Sequence, residues 1–171
     1  AVMSIIRTLP AKFSGAIFIV QHISSGFARG FAHWLNLESH IPVRLAETGD
    51  VPTAGTALVA PTDCQIILEN GAVKIIDAPA VNCCRPSIDV FFESLAPLHG
   101  AESVGLLLTG MGRDGAQGLL RLKENGALTI VQNEESCAVF GMPKAAIALN
   151  AADEVLPLEA IPATVIHIFQ Q

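Results

Sequence analysis

Two positions frame the chemistry open to this chain. His22 follows the apolar run Ala16-Ile-Phe-Ile-Val20, and Asp114 lies among the glycines of Thr109-Gly-Met-Gly-Arg-Asp-Gly115. A carboxylate bonded to one imidazole nitrogen fixes the ring's tautomer. It also stabilises the imidazolium formed when the other nitrogen takes a nucleophile's proton. His22 and Asp114 would then serve acyl transfer, and the flexible Met111-Gly112 backbone could donate to an oxyanion. The same glycines satisfy a second pattern, because Gly110 to Gly115 spells GxGxxG after an apolar run, and Glu134 stands about twenty residues on, where a ribose-binding acid would be. That reading favours a nicotinamide dinucleotide and an oxidoreductase. Asp114 weakens it, since a carboxylate among the N–H groups meant for a pyrophosphate repels the ligand and competes for its donors.

Both residues need strands that end on one edge of a sheet. Val104 to Leu108 is short and aliphatic, as a strand buried on both faces should be, and Ala116 to Glu124 follows with helical spacing. Ala16 to Val20 is a second buried strand, so His22 and the glycine loop share a carboxyl edge if the two are parallel. Val2 to Leu9 reads as a helix stopped by Pro10, and Gly26 to Leu37 as another, with Phe27, Phe31, Trp34 and Leu35 on its core face.

Val43 to Glu47 and Thr56 to Ala60 are strand-like. Gln65 to Glu69 and Ala72 to Asp77 form a pair joined by Asn70-Gly71, a type I′ hairpin signal. Ser87 reads as the N-cap of a helix over Ile88 to Leu98, with Asp89 favouring the helix dipole in its first turn. The strand Ala127 to Val131, the polar loop Gln132 to Ser136, a helix from Pro143, a short strand near Val155 and a helix from Pro162 to Phe169 complete the order. Strands alternating with helices imply a mostly parallel sheet covered on both faces, with an antiparallel edge.

Composition narrows the classes. At 171 residues, 51% apolar and 15% charged, the chain suits a single globular domain. Its apolar runs are short of the roughly 20 residues of a membrane helix, and no export leader opens it, so membrane insertion is not expected. A net charge of −6 with no basic cluster makes nucleic acid an unsuitable partner. Cys64, Cys83, Cys84 and Cys137 lack metal-binding spacing and disulfide density, and read as reduced thiols of a cytoplasmic protein.

Several segments together resemble the chemotaxis protein-glutamate methylesterase family: Gln21-His22, Arg85-Pro-Ser-Ile-Asp89, Thr109-Gly-Met-Gly-Arg-Asp-Gly-Ala116 and Gln132-Asn-Glu-Glu-Ser-Cys-Ala-Val-Phe-Gly-Met-Pro143. The resemblance implies a doubly wound α/β fold and hydrolysis of glutamyl methyl esters on methyl-accepting chemoreceptors. Deamidation of receptor glutamines is implied as a second activity, with neither metal nor organic cofactor. It assigns His22 as general base, Asp114 as triad acid and Met111 to the oxyanion side. Gly112 lies beside Met111, and Arg85, which opens a motif segment, either binds the substrate's backbone in the pocket or pairs with a carboxylate.

The family's nucleophile is a serine on a Gly-Ala-Ser-Thr-Gly-Gly turn after its first strand. By the resemblance that serine falls about six residues before Ala1, so residues 1–171 correspond to the domain without its first strand and nucleophile turn. A receiver domain outside the chain is also implied. Ser4 is inside a helix, Ser24 and Ser25 adjoin the base, and Ser87 and Ser136 have structural explanations, so none is expected to replace the nucleophile. The remaining alternatives are a receptor-binding domain without catalysis, and Asp114 acting only as a cap on the helix after the glycines.

Overall fold

The computed structural model describes residues 1–170, which fold into three short sheets and six helices. Strands β1 (Ala16–Ile19), β3 (Thr56–Val59) and β2 (Val43–Leu45) form one parallel sheet in the order β1-β3-β2, with helices α1 (Val2–Ile6) and α2 (Ala28–Glu38) in the first part of the chain. Strands β6 (Val104–Leu107), β7 (Leu128–Gln132) and β8 (Glu154–Leu156) form a second parallel sheet, β6-β7-β8. Between them in sequence lie the antiparallel hairpin β4 (Gln65–Glu69) with β5 (Ala72–Ile76), and the helix α3 (Ile88–His99). Helices α4 (Ala116–Glu124), α5 (Met142–Ala148) and α6 (Ile161–Phe169) follow. This is the mostly parallel α/β architecture with an antiparallel edge that the pattern requires. Asn70 and Gly71 both have positive φ, 53° and 78°, as a type I′ turn demands.

One interruption divides the parallel strands. β1 and β6 are not hydrogen-bonded to each other, and an apolar cavity of about 600 Å³ runs along both. Ile5, Ile6 and Leu9 line it from the first helix and the turn after it, Phe91 and Phe92 line it from α3, and Leu106 and Leu107 line it from β6. Its lining also includes His22 and Met111.

The aromatic face of α2 departs from expectation. Phe27 is 68% exposed and Trp34 50%, whereas Ala28, Ala32 and Leu35 are buried. A shift of one position turns the helix by about 100°, and the small alanines, not the bulky rings, form the stripe that packs inward. Phe31 and Trp34 instead pair with each other, ring centroids 6.3 Å apart.

Helices α3 and α4 meet at Gly118. A Cβ there would lie 2.7 Å from Phe92 Cβ and 2.9 Å from both the Cα and the carbonyl oxygen of Asp89. Gly118→Ala is therefore expected to destabilise by about 1–3 kcal/mol, outweighing the helix-propensity gain of about 1 kcal/mol, as read by urea unfolding.

Candidate active site

The segments that follow β1 and β6 meet at their carboxyl ends. His22 follows the first, and the loop from Thr109 to Asp114 follows the second. His22 Nε2 lies 2.8 Å from Asp114 Oδ2, with the carboxylate side chain 2% exposed and the imidazole 28% exposed.

The rest of the Asp114 carboxylate is fully engaged. Ser87 Oγ donates to Oδ1 at 2.6 Å, Asn82 Nδ2 donates to Oδ1 at 3.2 Å, and the Ile88 N–H donates to Oδ2 at 2.7 Å. Asp114 thus caps the N-terminus of α3, not that of α4, whose N-cap is Gly115 at φ 88° with no side-chain cap bond. The reason is steric as well as electrostatic. A Cβ at Gly115 would meet Leu107 Cδ1 at 2.6 Å and Ile88 Cγ2 at 2.8 Å, so this sharp bend seats the carboxylate against the amino end of α3. Gly115→Ala is expected to cost about 2–5 kcal/mol, the sum of left-handed strain and overpacking, in chemical denaturation.

Burial alone would raise the pKa of Asp114. The bonds from His22, Ser87, Ile88 and Asn82 outweigh it and hold the carboxyl at about 2. An ionised Asp114 accepts from Nε2–H, so the lone pair of His22 sits on Nδ1. The basic nitrogen is the opposite one from that in the chymotrypsin triad.

Asp89 behaves differently. It is 4% exposed, accepts from the Gly118 N–H at 2.7 Å and from Asn82 Nδ2 at 2.7 Å, and its pKa is raised by burial and by neighbouring Asp114. It lies in the first turn of α3 as the sequence suggests, and it is also a buried strut between α3 and α4.

Asp114 is depressed below its unfolded value of about 3.9, so its contribution of about 2 kcal/mol is present above that pH and is lost as pH falls towards 2. Asp89 is raised, so its contribution is present below about 3.9 and lost as pH rises through its folded value. Urea unfolding between pH 4 and 2 is expected to show a steeper loss of stability in the native chain than in Asp114→Asn.

Sequence reasoning missed the loop that completes the site. Val81 to Cys84 is a tight turn with reciprocal backbone bonds at 3.1 and 2.8 Å and positive φ at Asn82 (51°) and Cys83 (62°). It carries Asn82 to the two carboxylates and sets Cys84 Sγ 3.8 Å from His22 Nδ1. Burial, and after it the charges of Asp114, Cys83 and Asp89, push the Cys84 thiol up to about 11, so it stays protonated and is no activated nucleophile. Ser87 was legible as a cap, and its Oγ does accept from Val90 N, but its bond to Asp114 was not. The Arg85-Pro-Ser-Ile-Asp89 motif was the only signal for either role.

Met111 is 82% exposed on the outer lip of the loop, and Gly112 adopts φ 91°. The Gly110 N–H is committed to the Val139 carbonyl at 3.1 Å, while among the described residues the Met111 and Gly112 amides donate no backbone bond. Arg85 pairs with Asp77 and makes no bond to Asp114 or His22. Gln132 is fully buried and accepts from the Thr109 N–H at 2.9 Å, which ties the second polar motif to the glycine loop. Glu134 is exposed, and Asp114, the carboxylate inside the glycine turn, is spent on His22 and the amino end of α3, so the dinucleotide reading gains no support.

Comparison with known proteins agrees with this geometry. The family model for CheB methylesterase matches residues 1–165. The protein-glutamate methylesterase/protein-glutamine glutaminase 3 of Pseudomonas aeruginosa is 49% identical over 166 residues, covering 96% of this chain and 50% of that protein. A counterpart from Pseudomonas syringae pv. syringae is 48% identical over 168 residues, covering 98% and 50%. The crystal structure of the Thermotoga maritima CheB methylesterase catalytic domain superposes with a TM-score of 0.93 at 34% identity, covering 98% of this chain and 90% of that one. The chain spans about half the length of the curated relatives it matches. It belongs to the CheB methylesterase family.

Proposed function

We propose that this chain hydrolyses glutamyl methyl esters on methyl-accepting chemoreceptors, and deamidates receptor glutamines, by serine acyl transfer in the cytoplasm. The observation that carries the reading is the 2.8 Å bond between His22 Nε2 and a buried Asp114, which leaves Nδ1 as a base at the carboxyl edge of the strands. The names of the relatives, protein-glutamate methylesterase/protein-glutamine glutaminase, favour the same chemistry.

The nucleophile belongs to a strand that fills the cavity between β1 and β6, from sequence preceding Ala1. Support comes from the unpaired edges of both strands and from a lining that continues from apolar Ile17 and Leu106 to His22 and Met111. A strand parallel to its neighbours would end in a turn beside His22, as a nucleophile elbow does.

The serine oxygen attacks the ester carbonyl as Nδ1 takes its proton. The Met111 and Gly112 amides donate to the oxyanion, methanol leaves with the proton from His22, and water then attacks the acyl-enzyme. The relatives' additional length leaves room for a receiver domain that would regulate access. Receptor docking supplies specificity, and Arg85, whose pair with Asp77 is open to solvent, can add to it.

The test is methanol release from methylated receptor by the protein that includes the segment preceding Ala1. Release above the buffer rate that disappears in His22→Ala supports the reading. Receptor binding without methanol release favours the binding-domain reading instead.

A further inference from the structure

His22 Nδ1 and Cys84 Sγ stand 3.8 Å apart, and with Asp114 they form a group whose ligand atoms all lie within 4.8 Å of one another. Tetrahedral zinc with Zn–S near 2.3 Å and Zn–N near 2.05 Å requires a nitrogen–sulfur separation of about 3.6 Å, so a shift of a few tenths of an ångström would suffice. An octahedral right angle would need about 3.1 Å, which fits less well. Asp114 then plays the part of a supporting group. It holds Nε2–H and so directs the Nδ1 lone pair towards the thiol, the carboxylate–histidine arrangement that orients metal-bound imidazoles.

We propose that His22 and Cys84 form an inhibitory site for a thiophilic divalent cation of the zinc type, which occupies the basic nitrogen and silences the esterase. Nδ1 donates its lone pair to the ion, and Cys84 binds as thiolate after releasing one proton to solvent. Water fills the remaining positions, and Nε2–H stays on Asp114. The imidazole can no longer accept the nucleophile's proton, so metal and turnover exclude each other. Soft sulfur alongside imidazole selects zinc or cadmium over magnesium or calcium.

Binding does not depend on the esterase reading, whereas the inhibitory consequence does, and the two are measured separately. Cadmium is titrated into the reduced, chelator-free full chain while the sulfur-to-cadmium charge-transfer absorbance is followed. A band saturating at one equivalent, kept in Cys83→Ser and lost in Cys84→Ser, supports the site. Zinc-induced movement of the His22 Nδ1 nitrogen resonance, with the Nε2 proton retained, places the ion on the predicted atom.

No band in the native chain, or a band unchanged in Cys84→Ser, overturns the proposal and leaves a simple thiol–imidazole contact. In the activity arm, zinc is expected to suppress methyl ester hydrolysis reversibly by chelator, with the sensitivity lost in Cys84→Ser. Undiminished hydrolysis at a zinc concentration that saturates binding overturns the claim that the ion sits on the base.

Discussion

His22→Ala is expected to lower kcat for methyl ester hydrolysis by about a millionfold and Asp114→Asn by about ten-thousandfold, with the double variant no worse than His22→Ala alone. The non-additivity follows from the geometry. Asp114 acts on the reaction through the imidazole it orients, so without that ring it has nothing left to stabilise.

Stability is expected to rank the variants in the reverse order. The His22 side chain is partly exposed and makes one strong bond, whereas Asp114 accepts from Ser87, Asn82, Ile88 and His22 in a buried position. An asparagine there must turn its own NH₂ towards one set of those donors. Each buried donor it orphans costs about 1–3 kcal/mol. Steady-state kinetics and urea melts on the same preparations check both orders. A Asp114→Asn protein that is catalytically normal but unstable would make the carboxylate a cap and nothing more.

The site was legible where one residue type at one strand end carried the information. His22 closes an apolar run, and Asp114 interrupts a set of glycines that needs positive φ, which the structure finds at Gly112 and Gly115. The Asn70-Gly71 hairpin and the Ser87 cap were legible because turn and cap chemistry are local. What was hidden depends on tertiary approach. Asp114 caps a helix that begins some twenty-five residues earlier in the chain, and no spacing rule reports a cap delivered across space. Asn82 and Cys84 reach the site through a turn with positive φ at Cys83, a residue type that does not advertise it. The outward rings of α2 show a different limit. Helical period identifies a stripe, but which of two adjacent stripes faces inward is decided by what must fit beneath it, and the alanines fit.

A reagent that phosphonylates activated serines is expected to label the protein once, on the segment preceding Ala1, and to lose that label in His22→Ala. Among the described residues no serine hydroxyl is bonded to His22. Ser25 Oγ donates to Asp63, Ser87 Oγ is spent on Asp114, and Ser136 is held by Asn133 and Gln132. Removal of the preceding segment is also expected to weaken the fold. A strand placing about three large apolar side chains in the cavity would contribute about 5–9 kcal/mol of burial, comparable with the whole stability of a typical domain. The truncated chain should therefore bind a hydrophobic dye, and its β6 amides facing β1 should exchange quickly, while the longer protein protects them. Two readouts then test one placement, since a strand that fills the gap must both stabilise the sheets and carry the serine to Nδ1. Labelling of Ser24, Ser25 or any other serine of residues 1–171 would move the nucleophile into the present chain and leave the cavity to another occupant.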